Sequence, residues 1–311
     1  MRTLGTVCFV NLFEKGTKSA YKDVFDRLEQ INDEFSFAKE KSDLYRVNNF
    51  AFNKEVVVCD DVFTVISMAL KISEMTEGAF DITVEPLVSL WRVNTPTPHV
   101  ATQAELDERL PLVDYKNVVL NPEKKSVRFL KKGMQLDLGG IAKGFAADEI
   151  VKICKTHNIR RAVIDLGGNV YVYGSKEKSQ LWNVGIKNPE YPDSVPLLKL
   201  AVPEISVVTS GMYERYFESG EKRYHHILSP KTGYPIENEL YSVSVLSTNS
   251  MLADSLTTAF FVLGTEKALE VLPQVKKEFG LDLSAIFIKK NHQIVYSENF
   301  PYPCDVIYED W

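Results

Sequence analysis

One stretch constrains the rest of the chain: Gln135-Leu-Asp-Leu-Gly-Gly-Ile-Ala-Lys-Gly-Phe-Ala-Ala-Asp-Glu-Ile150. Met134, Leu136 and Leu138 alternate with Gln135 and Asp137, the period of a strand. Gly139 and Gly140 break that pattern. Ile141, Phe145, Ile150 and Ile153 then recur at helical spacing to about Lys155. A glycine-rich turn into a helix start exposes backbone N–H groups beside the positive end of the helix, which suits a phosphate. Lys143 falls in the first helical turn, where the dipole disfavours a cation, so it needs another reason to be there. The plainer reading is a tight turn in which Gly139 and Gly140 serve only a positive φ. On this stretch alone the plainer reading is preferred.

The 311 residues suffice for one large domain or two smaller ones. Hydrophobic content of 45% and charged content of 25% are those of an ordinary soluble globular protein. A net charge of −6 gives no electrostatic reason to expect nucleic acid or an acidic membrane as partner. No apolar run approaches the roughly 20 residues of a membrane helix. Cys8, Cys59, Cys154 and Cys304 are scattered without a CxxC pair, which argues against a zinc site of that type.

Patterning predicts strands at Thr6–Phe13, Arg161–Leu166, Val170–Tyr173, Trp182–Ile186, Leu197–Val202, Ile205–Thr209, Leu283–Lys289 and Gln293–Tyr296. A hairpin is predicted from Val118–Leu120 and Ser126–Leu130. Helices are predicted at Ala20–Phe35, Asp60–Thr76 (capped by Asp60 or Asp61), Thr102–Leu110, Ser250–Leu263 and Glu266–Phe279. Thr102 and Glu105 have the spacing of a capping box. Ser42–Phe52 reads as loop with a short helical turn. Asp-Leu-Gly-Gly occurs twice, at 137–140 and 165–168, each time closing a predicted strand; four residues do not establish a repeat. Strands in runs with grouped helices argue α+β with largely antiparallel sheets. The expectation is one domain over 1–311, open to division into two lobes.

Asp254 and Thr258 lie four apart on a predicted helix and share a face. A carboxylate and a hydroxyl facing one way are hard oxygen ligands, suited to Mg²⁺ with substrate phosphate completing its shell. The alternative is a first-turn Asp favoured by the dipole and a Thr bonded back to a carbonyl. His225 and His226 end a strand before a Pro/Gly turn, and strand neighbours point to opposite faces. One of them is a candidate general base; a hydrogen-bonded structural histidine is the other reading. Thr209-Ser-Gly-Met-Tyr213 reads as a polar turn after a strand, with Ser210 and Gly211 placed to hold a ligand. The GxSxG elbow, the Walker loop, GxGxxG and HExxH are absent, which disfavours Rossmann and P-loop enzymes.

Taken together, these blocks resemble the FAD:protein FMN transferase family, formerly called thiamine-biosynthesis lipoproteins. The matching blocks are Gly78-Ala-Phe-Asp-Ile-Thr-Val84 with Pro86 and Leu90-Trp91, Leu136-Asp-Leu-Gly-Gly-Ile-Ala-Lys-Gly144, Gly167-Gly-Asn169, Thr209-Ser-Gly211, His226-Ile-Leu-Ser-Pro-Lys-Thr-Gly233 and Ala253-Asp-Ser-Leu-Thr-Thr-Ala259. They fall in the family's order and span nearly the whole chain.

The resemblance implies an enzyme that takes FAD and Mg²⁺, transfers FMN through a phosphoester to a Thr or Ser of an acceptor protein, and releases AMP. It implies an FAD cleft, with Asp254, Thr258 and the backbone carbonyl of Gly140 as metal ligands. Ala79, Phe80, Asp81, Asp137, Lys143 and Leu228 match FAD-contacting positions, and His226 matches the proposed base. Many members carry Tyr near the adenine where this chain has Ala38. An FAD pyrophosphatase giving FMN and AMP, and a non-catalytic FAD-binding or scavenging protein, are the competing readings. The family's usual lipoprotein leader is not in the sequence, which leaves the cell envelope and the cytoplasm both open.

Overall fold

The computed structural model describes residues 1–14, 17–176, 180–308 and 311. The chain opens with β1 (Arg2–Thr3), β2 (Thr6–Leu12), α1 (Lys18–Glu34), α2 (Asp43–Phe50), β3 (Val56–Val57) and α3 (Asp60–Met75). A 3-10 turn at Ile82–Val84 runs into α4 (Glu85–Trp91), followed by α5 (Gln103–Arg109), β4 (Val118–Asn121) and β5 (Ser126–Phe129). Then come α6 (Ala142–Thr156), β6 (Ala162–Leu166), β7 (Asn169–Tyr173), β8 (Trp182–Ile186), β9 (Leu198–Val202), β10 (Ile205–Gly211), β11 (Tyr216–Ser219) and β12 (Lys222–His225). The chain closes with β13 (Leu240–Ser247), α7 (Ser250–Leu263), α8 (Thr265–Phe279), β14 (Leu283–Lys289), β15 (Ile294–Tyr296) and β16 (Cys304–Val306). The fold is mixed α+β, and the paired strands run antiparallel.

Packing divides the chain into two compact units. The first comprises Met1–Glu29, Lys143–Tyr213 and Glu239–Trp311. Its main sheet has the order β1-β2-β6-β7-β10-β13-β14-β15, with a second sheet β16-β9-β8. Trp182, Val184, Leu198 and Leu200 of the second sheet share one buried cluster with Val172, Val207, Leu246 and Ile286 of the first. α7 is apolar nearly all round, the pattern of a buried helix, and Leu252, Ala253, Leu256, Ala259 and Phe260 are fully buried.

The second unit comprises Gln30–Ala142 and Glu214–Asn238. It holds the sheet β3-β5-β4, the hairpin β11-β12 and the helices α2 to α5. Leu87, Trp91, Leu106 and Leu228 form its cluster around α4. The Trp91 indole donates to the Gly233 carbonyl at 2.7 Å, and Tyr224 lies 5.4 Å from Trp91 and 5.3 Å from Phe217, centroid to centroid. These contacts fasten the hairpin and the loop after it to α4. The capping box is present: Glu105 N–H donates to Thr102, and Glu105 accepts from the Thr102 amide at 2.8 Å.

Four local expectations need correction. Residues 134–138 belong to no strand. The Asn48 side chain donates to the Leu136 carbonyl at 3.0 Å and accepts from its amide at 2.7 Å, while Asp137 N–H donates to the Ile82 carbonyl. One side chain therefore does for this segment what a neighbouring strand would do. Asp43–Phe50 is a two-turn helix, not loop: Ser42 Oγ accepts from Tyr45 N–H at 2.9 Å, and Leu44 and Val47 are buried one turn apart. The N-cap of α3 is Cys59, without a side-chain hydrogen bond; Asp60 and Asp61 instead occupy the first turn, where the dipole favours them. Thr209–Gly211 are strand, since pairing with β13 continues to Gly211 opposite Ser242; the turn begins at Met212.

Candidate active site

In the first unit, Lys143 and Gly144 open α6, and Asp254 lies on α7. Asp254 is 3% exposed. Its Oδ1 and Oδ2 lie 3.2 and 3.4 Å from Lys143 Nζ, and Oδ2 accepts Gly144 N–H at 2.9 Å. Lys143 thus has the other reason for its dipole-disfavoured place: it faces a buried carboxylate. Asp254 sits in the second turn of a helix beginning at Ser250 and is buried, so it is not the first-turn Asp of the alternative reading. Removing its charge leaves the half-buried Lys143 ammonium without its carboxylate.

Thr258 lies one turn later, half-buried, with no hydrogen bond to its hydroxyl among the described residues. Behind this pair, Thr257 Oγ1 donates to the Asp254 carbonyl at 2.7 Å, which leaves Ser210 Oγ to donate to Thr257 Oγ1 at 2.8 Å. Ser210 therefore braces α7 from β10. Gly211 lies against Tyr213, where a Cβ would stand 2.8 Å from the ring.

Asp148, on α6, accepts Ser250 N–H on Oδ1 and Met251 N–H on Oδ2, each at 2.9 Å. Burial pushes its carboxyl up to about 6, against the pull of those two amides. Among the described residues no three His, Cys, Asp or Glu side chains gather as a metal cluster.

In the second unit, Asp81 is 7% exposed and caps the 3-10 turn. Oδ1 accepts Thr83 N–H at 2.8 Å and Thr83 Oγ1–H at 2.6 Å; Oδ2 accepts Tyr115 N–H at 2.9 Å. Burial raises its carboxyl against those bonds. Ala79, Phe80 and Leu228 are buried, so their side chains serve the core of this unit. Asp137 Oδ1 accepts Gly139 N–H at 2.7 Å. Glu85 is held up at about 8 by burial, with the Asp137 charge adding to it. Gly140 carries no hydrogen bond on its carbonyl among the described residues, and the amide four residues on, Gly144 N–H, goes to Asp254.

β12 ends at His225 and His226 lies just beyond it, so strand alternation does not set their directions; the two differ in burial and in their partners. His225 is 3% exposed; its Nε2–H donates to the Ile236 carbonyl at 2.9 Å, and Nδ1 accepts Ile227 N–H at 3.3 Å. Both its nitrogens are engaged in holding the loop. His226 is half-buried, and Nδ1 stands 3.1 Å from the Arg215 carbonyl. A carbonyl only accepts, so Nδ1 carries the proton and Nε2 is the basic nitrogen. Of the pair, His226 has the tautomer of a base.

Asp148 and Glu85 escaped the sequence reading. The only hint of Asp148 was an acid set among Ala146, Ala147 and Ile150, all fully buried. Glu85 stood between two matching blocks, Gly78–Val84 and Pro86.

The model of the ApbE family matches residues 4–281. An FAD:protein FMN transferase of Klebsiella pneumoniae is 38% identical over 275 residues, 88% of this chain and 83% of that one. One from Treponema pallidum is 37% identical over 305 residues, 92% of this chain and 83% of the relative. The crystal structure of an ApbE protein from Thermotoga maritima superposes with a TM-score of 0.85 at 31% identity, covering 96% of each chain. The flavin transferase ApbE from Vibrio cholerae gives 0.83 at 27%, again over 96% of each. Matched from Leu4 through the last helix and along nearly the full length of solved relatives, the chain belongs to the ApbE family.

Proposed function

We propose that this chain is an FAD:protein FMN transferase that uses Mg²⁺, joins FMN to a Thr or Ser hydroxyl of an acceptor protein and releases AMP. The observation that carries the reading is Asp254: a buried carboxylate facing a cation and an amide, one helical turn before a hydroxyl. The relatives bearing the transferase name support the substrate.

The donor set fits a metal that takes few protein ligands. Asp254 and Thr258, one helical turn apart, would supply a carboxylate and a hydroxyl; the family resemblance adds the carbonyl of Gly140. Mg²⁺ commonly binds through one or two carboxylates plus substrate phosphate and water. When bound, it neutralises charge on the pyrophosphate and on the leaving AMP. Lys143, on a short tether from the Asp254 carboxylate, places a second positive charge for the phosphates.

The acceptor oxygen forms a bond to the FMN phosphorus as the bridging P–O bond to AMP breaks. The acceptor's proton passes to Nε2 of His226, whose Nδ1–H is held by Arg215. Asp137 and the backbone at Ala79, Phe80, Asp81, Leu228, Ser210 and Gly211 are the remaining FAD contacts in this reading.

Water in place of the acceptor gives FMN and AMP. Ala38 is exposed and offers one methyl; where the family resemblance implies a Tyr stacked on adenine, this favours some of this hydrolysis. The test is incubation with FAD and Mg²⁺, with and without a candidate acceptor protein. Covalent flavin fluorescence on a denaturing gel reports transfer, free FMN with AMP reports hydrolysis, and intact FAD throughout would overturn the enzymatic reading.

A further inference from the structure

α6 and α7 cap one another. The first amides of a helix have no partner within it. Asp254 of α7 takes Gly144 N–H from the first turn of α6 at 2.9 Å. In return, Asp148 of α6 takes Ser250 and Met251 N–H from the first turn of α7, one on each oxygen, both at 2.9 Å. The helix's own cap, Asn249, serves a different amide, that of Leu252, at 2.8 Å.

The two helix starts are also in close contact. A Cβ on Gly144 would fall on the Ser250 carbonyl and within 2.6 Å of Met251 Cα, so only glycine permits this approach. Ser250 is pinned from its other side as well. Its hydroxyl donates to Asn169 Oδ1 at 2.9 Å and lies 2.8 Å from Ser206 Oγ.

We propose that Asp148 is a positioning residue for the metal centre: by clamping the first turn of α7 to α6, it fixes where Asp254 and Thr258 present their oxygens to a divalent cation. This rests on the proposed metal role of Asp254 and Thr258. Asp254 lies four residues past Ser250, about 6 Å along the axis at the rise of an α-helix, so a shift or rotation of the helix start is carried to the carboxylate. Ligand distances in metal sites are held to about 0.2 Å, and losing a group that orients a ligand typically weakens metal binding by about 10–100-fold. A carboxylate suits the task because it offers an acceptor to each of two neighbouring amides. Asparagine has the same shape but offers one oxygen, and turns an NH₂ toward the second amide.

The test is Mn²⁺ binding to the full chain in the presence of FAD, read by the electron paramagnetic resonance signal of free Mn²⁺, so that no turnover is required. Asp148→Asn is expected to weaken Mn²⁺ binding about tenfold or more, with FAD affinity in EDTA unchanged. Asn249→Ala removes the ordinary cap from the same helix end and is expected to lower the melting temperature while leaving Mn²⁺ affinity near that of the parent. Asp254→Asn serves as reference. If Asp254→Asn weakens Mn²⁺ binding but folded Asp148→Asn does not, the positioning role is wrong and the metal reading stands. Equal weakening by Asp148→Asn and Asn249→Ala would reduce Asp148 to a common helix cap. Unchanged binding in Asp254→Asn would overturn the metal reading and the positioning role with it.

Discussion

Asp-Leu-Gly-Gly stands at 137–140 and again at 165–168, and the two copies fold differently. Their local chemistry is shared: Asp137 Oδ1 accepts Gly139 N–H at 2.7 Å, and Asp165 Oδ1 accepts Gly167 N–H at 3.0 Å. The second copy closes β6 and turns into β7, with Gly167 at φ +66° and Gly168 at φ +90°, in the left-handed region. In the first copy neither glycine is left-handed. That chain instead turns through an Ile141 N–H to Leu138 carbonyl bond of 3.1 Å and enters α6. The reading that Gly139 and Gly140 serve only a positive φ is therefore corrected, and so is the reading that both copies close strands. The residues immediately after each copy decide its fold. Asn-Val-Tyr-Val-Tyr is β-branched and aromatic, while Ile-Ala-Lys-Gly-Phe-Ala-Ala is largely helix-forming. The common element is an Asp-capped turn, and nothing more of a repeat is present.

The largest expected difference lies just past the first copy. Gly144→Ala puts a methyl against the backbone of Ser250 and Met251. Overpacking costs about 1–3 kcal/mol where side chains can yield, and backbone yields less, so the loss should lie at or above that range. Urea denaturation reads it; a Gly144→Ala protein as stable as the parent would refute the close approach of the two helices.

Next comes the contrast within the copies. Gly167→Ala forces a left-handed alanine, costing about 1–2 kcal/mol, and drives its methyl into Thr6. Gly139→Ala has no such φ and meets only the end of the Asp137 side chain at 3.0 Å, so it should cost clearly less. Equal losses in the two melting curves would mean that the backbone difference is not real.

Removing either aspartate should cost about 0.5–1.5 kcal/mol for the lost hydrogen bond. Asp137→Ala should in addition weaken FAD binding, whereas Asp165→Ala should leave it unchanged. FAD titration of both proteins separates a ligand-facing copy from a purely structural one.

A separate contrast is a pH dependence beside the first copy. Glu85, beside Asp137, has its carboxyl raised from 4.5 to about 8 by burial. The folded state therefore holds this proton more tightly than the unfolded chain. Its contribution is fully present below about pH 4.5 and is lost as pH rises through 8. Glu85→Gln should gain stability relative to the parent between about pH 5 and pH 8. A gain that does not grow with pH would contradict the assignment.

Much of the fold was legible in sequence because its elements carry strong periods. Thr6–Leu12, Ala162–Leu166 and Leu283–Lys289 are strands with alternating or wholly buried patterns, and α3 and α7 bury their repeating faces. Residues 134–138 were misread because alternation reports burial, not the partner; the partner was Asn48, 88 positions away. α2 was missed because its polar residues mask a Leu44–Val47 face. In the site, the i,i+4 spacing of Asp254 and Thr258 was visible, since it is a local rule; the split between His225 and His226 falls at the end of β12, where alternation no longer applies. Asp148 was not visible, because its partners at Ser250 and Met251 are fixed only by how α6 meets α7.

The central claim is that Asp254 organises a metal-dependent transfer from FAD. Its most direct test is covalent flavin labelling of an acceptor protein, with AMP released alongside, by the parent chain and by Asp254→Asn. The asparagine keeps the shape and an acceptor for Gly144 while removing the charge. The account predicts labelled acceptor and AMP from the parent with FAD and Mg²⁺, and none when EDTA is added. It predicts a loss of at least about 100-fold in folded Asp254→Asn, of the order expected when electrostatic stabilisation of a transition state is removed. Undiminished labelling by folded Asp254→Asn would contradict it.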